Sequence, residues 1–103
     1  MNDLTQQQQN LENNSEDYKM NVIKTSLTLA FSRTGTEFDK HLANSIYFDA
    51  VEAFPDITLD EFTQALKNGG LGMYGKTYKL TSQEVCIWIR NYLNDTRFKA
   101  AYQ

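Results

Sequence analysis

The sequence has almost none of the residues that build covalently or metal-stabilised structures. Its 103 residues include one cysteine and one histidine, which excludes a disulfide framework, a cysteine-based zinc site and a multi-histidine metal site. The longest apolar run falls far short of the roughly 18 residues that span a membrane. No basic start precedes an apolar stretch, as it would in a signal peptide. We therefore expect a small cytoplasmic domain with no membrane partner and no cofactor.

The chain also lacks an excess of positive charge. Ten basic and 13 acidic residues give a net charge of −3, which excludes a uniformly basic, histone-like binder of nucleic acid. The charge is nevertheless unevenly divided. Residues 1–63 carry four basic and eleven acidic residues, a net −7, whereas residues 64–103 carry six basic and two acidic residues, a net +4. Such asymmetry is typical of a chain with one polyanion-binding end.

Composition divides the chain into an arm and one domain. Asn and Gln occupy most positions between residues 2 and 15, and such a stretch cannot bury enough apolar surface to offset the entropy of ordering it. We predict that residues 1–17 form a disordered polar arm. Leu4 and Leu11 are seven residues apart, so a short helix against a partner is the alternative. Residues 18–103 are predicted to form a single helical domain.

Apolar periodicity predicts the first two helices. In residues 18–33 the apolar residues recur near helical spacing but also occupy alternate positions, which leaves helix and strand open. We favour helix because no other segment offers a strand partner, and Gly35 is expected to end it. The second helix is predicted over residues 37–53, capped by Thr34 or Thr36, with Pro55 beyond its end. Its expected inward face comprises Phe38, Leu42, Ile46, Tyr47, Ala50, Val51 and Phe54.

Two capping boxes predict the remaining helices. Thr58 with Glu61 opens a short helix that Asn68-Gly69-Gly70 should end, and Thr81 with Glu84 opens another. The fourth helix has the i, i+3, i+4, i+7, i+8 pattern of an amphipathic helix. Its expected inward residues are Val85, Trp88, Ile89, Tyr92 and Leu93. The predicted fold class is therefore all-α, a small four-helix domain preceded by the Gln/Asn-rich arm.

One segment matches the phosphate-loop pattern G-x-x-x-x-G-K-[ST], from Gly70 to Thr77. In nucleotide-binding proteins this pattern follows a buried strand and opens a helix, so that backbone N–H groups cradle the phosphates. Here it follows a predicted helix, and the next capping box begins only at Thr81. We therefore interpret the segment as a tight inter-helix loop and expect no enzyme activity.

Residues 54–93 resemble a loose group of small helical proteins from phages and mobile elements of Bacteroides-type bacteria. Three features carry the resemblance: a short helix capped by a threonine, a G-x-Y-G-x-x-Y loop, and a helix that starts with Leu-Thr and ends Trp-Ile-Arg-x-Tyr. The residues of the last two features here are Gly72, Tyr74, Gly75, Tyr78, Leu80, Thr81, Trp88, Ile89, Arg90 and Tyr92. Most of those proteins are uncharacterised, and some lie beside replication functions. The resemblance implies a mobile-element origin in a bacterial host cell and transfers no catalytic residue.

The basic C-terminal half contains the candidate binding residues. Arg90 and Arg97 are seven positions apart and share the outer face of the last helix if that helix continues. The loop interleaves tyrosines with lysines, a pattern suited to stacking on unpaired bases. The nucleic-acid-binding candidates are Tyr74, Lys76, Tyr78, Lys79, Arg90 and Arg97. The alternative is a solvated helix face beside tyrosines that face the core.

These observations favour one function and leave a second open. The first is an accessory protein that binds DNA or RNA through its basic half, in replication or its control. The second is a non-enzymatic adaptor that binds a phage or host protein through its acidic N-terminal half. About a dozen residues separate the third and fourth helices, too many for the turn of three or four residues in a standard helix-turn-helix.

Overall fold

The computed structural model of the protein describes residues 15–98, which form four α-helices and one π-helical turn and include no strand. The elements are α1 (Ser15–Arg33), α2 (Lys40–Ala53), α3 (Leu59–Gly70), α4 (Ser82–Leu93) and the π-helical turn Asn94–Phe98. The predicted all-α, four-helix fold is confirmed, and so is the choice of helix for residues 18–33. α1 begins at Ser15, so the expected arm ends at least three residues earlier than predicted; its other residues lie outside the described part.

The helices pack in the order α1, α3, α4, α2. α1 lies against α3, α3 against α4, and α4 against α2, whereas α1 and α2 make little backbone contact. The side chain of Arg33, at the end of α1, lies beside Gly70, at the end of α3. Since the two C-terminal ends coincide, α1 and α3 run parallel. No helix among the described residues is long and apolar enough to cross a membrane.

Trp88 lies at the centre of the core and is 1% exposed, as its spacing predicts. It packs directly on the backbone of Gly69, where an added Cβ atom would lie 1.9 Å from the indole. α3 ends at Gly70, within the predicted Asn68-Gly69-Gly70 stop, and Gly69 is still helical where it contacts the indole. The other fully buried large side chains are Phe31, Ile46, Leu66, Leu80, Val85 and Ile89.

Two glycines at positive φ end α1 and α3. Gly35 follows α1 at φ 67°, and Gly72 follows α3 at φ 84°. In each case the glycine N–H and the next N–H donate back to carbonyls of the last helical turn, such as Met73 N–H to the Asn68 carbonyl at 3.0 Å. This is the Schellman arrangement, which uses a left-handed residue that glycine adopts without strain. The predicted stop at Gly35 is confirmed.

Side chains cap the starts of α2, α3 and α4, and the structure corrects part of what the sequence predicts for them. Thr58 and Glu61 form the complete predicted capping box. Thr81 accepts from the Glu84 N–H at 3.1 Å, but the Glu84 carboxylate accepts from the Thr77 hydroxyl, so only half of the second predicted capping box is present within the described residues. α2 begins at Lys40 with Asp39 as its N-cap, not with a threonine at residues 34–36 as expected. The Asp39 carboxylate is suited to this position because it accepts two backbone N–H groups.

The inward face of α2 is narrower than predicted. Ile46 and Ala50 are buried, but Phe38 is 53% and Val51 38% exposed. Ala43, which was not predicted to face inward, is buried as well. Of the aromatic rings of this region, Phe48 is exposed, whereas Tyr47 and Phe54 are partly buried against the core.

Candidate nucleic-acid interface

The loop between α3 and α4 is fixed to the helical body at its base. Leu80 is fully buried, and its N–H donates to the Thr36 hydroxyl at 2.9 Å. The hydroxyl of Thr77 donates to the Glu84 carboxylate at 3.4 Å. Gly75 adopts φ 109°, which allows the sharp reversal in the middle of the loop. These contacts hold the loop backbone in place, so its outward-facing side chains have defined positions.

The two loop tyrosines have different surroundings. Tyr74 is half-buried against the core, and its hydroxyl accepts from the Asn68 amide at 3.2 Å. Tyr78 is 82% exposed, and Lys76 Nζ lies 5.1 Å from the centre of its ring. Tyr74 therefore fits the core-facing alternative, whereas the Tyr78 ring is exposed, with Lys76 over one of its faces. Lys76 and Lys79 are exposed on either side of Tyr78.

Arg97 lies at the opposite end of α3 from this loop. Its guanidinium donates to Glu61 Oε2 at 2.8 Å and to the Asp56 carbonyl at 3.2 Å. Glu61 is in the first turn of α3 and the loop follows its last turn, about 13 Å away at 1.5 Å per residue. The expectation that Arg97 shares a face with Arg90 was wrong. The chain leaves α4 through a π-helical turn, whose wider winding changes the phase of the helix.

The contact between Arg97 and Glu61 affects both groups. The Arg97 hydrogen bond lowers the pKa of Glu61 from its ordinary 4.5 to about 2, with a smaller contribution in the same direction from the Thr58 N–H. The same hydrogen bond raises the pKa of Arg97. Arg97 therefore acts as a structural partner of the α3 cap, and its charge is already compensated.

Arg90 occupies a third location. It is exposed on α4 and forms no ion pair within residues 15–98. It lies eight residues beyond the start of α4, about 12 Å along the axis from the loop. Cys86 lies one turn before it. Burial raises the pKa of the Cys86 thiol, the Asp49 carboxylate of α2 raises it further, and Arg90 opposes both. Arg90 thus lies on the α2 side of α4.

Two basic residues that sequence reasoning missed lie at the loop end. Arg33 and Lys67 line a shallow depression of about 290 Å³ between α1 and α3, and no carboxylate lines it. Each lies in the last turn of its helix, where a basic side chain also complements the helix dipole. The sequence marks both as helix-end residues, but only the parallel packing of α1 and α3 brings them together.

We call Arg33, Lys67, Lys76, Tyr78 and Lys79 the loop-end surface. All five belong to the C-terminal ends of α1 and α3 or to the loop that follows α3. None of its cations is paired with a carboxylate within the described part of the chain. The opposite end, around the start of α3, carries Asp56, Asp60 and Glu61. α3 itself therefore carries acidic residues in its first turn and a basic residue in its last turn.

The segment that matches the phosphate-loop pattern lies between two helices, as the sequence predicts. Gly70 is the last residue of α3, and α4 begins only at Ser82. The Lys76 ammonium group lies over the Tyr78 ring, and the Thr77 hydroxyl donates to the Glu84 carboxylate. No group of three or more metal-ligating side chains occurs among residues 15–98.

Comparison of the chain with protein-family models, with curated proteins and with solved structures finds no significant match.

Proposed function

We propose that this is a non-catalytic accessory protein of a phage or mobile element that binds nucleic acid through its loop-end surface. The observation that carries the proposal is Tyr78, an 82% exposed aromatic ring between two lysines that form no ion pair within residues 15–98. Aromatic rings stack on bases, and lysines beside them neutralise the backbone phosphates. An exposed ring serves a strand whose bases are unpaired better than a closed duplex.

The charge distribution supports a defined orientation on the nucleic acid. Arg33 and Lys67 extend the positive region from the loop to the ends of α1 and α3. The acidic end around Asp56 and Asp60 repels a polyanion. A bound strand would therefore lie across the loop end, and Arg97 would make no contact with it. Replication or its control is the setting that the resemblance to mobile-element proteins implies.

The test is a salt series with a single-stranded oligonucleotide and its duplex, measured by fluorescence anisotropy. Each phosphate contact contributes about 0.7 to the log–log salt slope for a single strand. The double variant Lys76→Ala, Lys79→Ala should therefore lower the slope by about 1.4. The matched control is Lys19→Ala with Lys24→Ala, which removes the same charge from α1 and should leave the slope nearly unchanged.

Stacking is tested separately at Tyr78. Tyr78→Ala should weaken single-strand binding by about five- to 150-fold, corresponding to 1–3 kcal/mol per stacked base, while Tyr78→Phe keeps most of the affinity. Arg97→Ala should bind as the wild type does. Equal slopes for the two lysine pairs, or equal binding by Tyr78→Ala and wild type, would refute the proposal.

A further inference from the structure

A long apolar groove separates α1 from α2. Because α1 packs on α3 and α2 on α4, the two helices leave an open space of about 350 Å³ between them. Its main apolar lining consists of Met20, Ile23, Leu27, Phe38, Tyr47 and Phe48. We call this the α1–α2 groove. Met20, Ile23 and Tyr47 also line a second depression of about 350 Å³ that reaches the start of α3, so the groove continues along α1.

The rims of the groove expose large side chains. Phe48 is 66%, Phe38 53% and Met20 40% exposed. Single exposed apolar residues are ordinary, but a continuous apolar surface of this kind marks a contact site for another molecule. The floor is formed by buried Ile23 and Leu27, so a ligand in the groove would rest on the core of the domain.

The charge at the groove selects among partners. Lys24 belongs to α1 and Lys40 to α2, so each wall carries a cation, and no Asp or Glu lines this part of the groove. The chain as a whole is negative, with a net charge of −3. The local sign is therefore opposite to that of the molecule. A second copy docking symmetrically would place these lysines opposite one another, which is unfavourable.

We infer that the α1–α2 groove binds an amphipathic helix of another protein, one that carries acidic residues beside its apolar face. Apolar side chains at i, i+3 or i+4 and i+7 match a groove between two helices. Carboxylates beside them would face Lys24 and Lys40. This function is separate from nucleic-acid binding, because no residue of the loop-end surface lines the groove.

The test uses two designed helical peptides with identical leucine positions and either Glu or Lys beside them. Fluorescence anisotropy should show the Glu peptide binding the full-length protein at least tenfold more tightly than the Lys peptide. The double variant Lys24→Glu, Lys40→Glu should reverse this preference. The matched control, Lys76→Glu with Lys79→Glu, makes the same charge change at the loop and should leave the preference in place.

A second variant isolates the apolar contact. Phe48→Ser should weaken binding of the Glu peptide at least tenfold and leave the circular dichroism spectrum unchanged, since this ring is exposed. Leu71→Ser, which removes a 58% exposed side chain in the loop, should bind the peptide normally. Both serine variants are compared at the same protein concentration.

Three outcomes would overturn the inference. The first is equal binding of both peptides by the wild type. The second is a concentration-dependent dimer in sedimentation velocity that Phe48→Ser abolishes, which would assign the groove to a second copy. The third is tighter binding of a synthetic peptide of residues 1–14 than of the Glu peptide, which would assign it to the chain's own N-terminal segment.

Discussion

At the scale of single residues, the contact between Gly69 and Trp88 leaves no room for a side chain. The space that a Cβ atom would occupy at Gly69 already holds indole carbons. At Gly70 the nearest atoms are Cδ and Cβ of Arg33, at 3.1 and 3.3 Å, so an added Cβ atom needs only a small shift of its neighbour. Two adjacent glycines in one helix thus have different constraints.

This difference predicts unequal losses of stability for two alanine substitutions. Gly69→Ala should lower the free energy of unfolding by about 1–3 kcal/mol or more, because it forces the indole out of its packing position. Gly70→Ala should stay within about 1 kcal/mol of the wild type, the size of the helix-propensity difference. Urea unfolding of both variants measures this, and equal stabilities would contradict the prediction.

The Arg97–Glu61 contact predicts a pH dependence of stability. The pKa of Glu61 is about 2 in the fold and 4.5 ordinarily, so its ionised form stabilises the folded state above pH 4.5. That stabilisation is lost as the pH falls from about 4.5 to about 2. Arg97→Met should therefore be less stable than the wild type at neutral pH, and this difference should shrink near pH 3.

The matched control for this measurement is Arg90→Met, which removes an exposed arginine without an ion pair in the described part of the chain. Its stability difference from the wild type should be small and should not change with pH. Urea titrations at the two pH values give both differences. A pH-independent deficit in Arg97→Met would show that the guanidinium acts through packing alone.

At the scale of elements, a hydrogen bond joins the two long loops. The Thr36 hydroxyl accepts the N–H of buried Leu80 and also bonds the Thr34 hydroxyl at 2.8 Å. Thr36→Val keeps the shape but leaves that N–H unpaired, which should cost about 1–3 kcal/mol in urea unfolding. Thr28→Val, at an exposed position on α1, should change stability by no more than about 0.5 kcal/mol.

The loop between α3 and α4 makes a prediction about nucleotides. A ligand that binds the folded state raises the midpoint of thermal unfolding by mass action. Because the phosphate-loop pattern here lies between two helices, we expect no such shift for the wild type in millimolar MgATP. Differential scanning fluorimetry measures it. A shift that Lys76→Ala abolishes would contradict both this prediction and the non-catalytic part of the proposed function.

The limits of prediction from sequence also appear at this scale. The capping box of α3 and the glycine after α1 were identified because each depends on residues a few positions apart. The Asn-Gly-Gly stop of α3 was also identified, but the packing of Gly69 against Trp88 was not, because that contact joins two different helices. The partner of Arg97 was missed because Glu61 is 36 residues away and the π-helical turn has no sequence signal that we recognise.

At the scale of the whole molecule, Trp88 holds the α3–α4 pair together. Trp88→Ala should cost about 3–5 kcal/mol, a large share of the stability of a small domain. Far-UV circular dichroism during urea unfolding should show a large loss of stability or an unfolded chain at the outset. Ile87→Ala, on the exposed side of the same helix, should change stability far less, and comparable losses would contradict a central role for the indole.

The packing order α1, α3, α4, α2 also has a consequence for biosynthesis. α1 leaves the ribosome first, but its packing partner α3 follows more than 25 residues later, and its immediate successor α2 does not cover it. α3 and α4 are neighbours in sequence and in space, so we expect this hairpin to form early in folding. The apolar face of α1 therefore stays exposed on the nascent chain until α3 has emerged. A chaperone can bind this face during that interval.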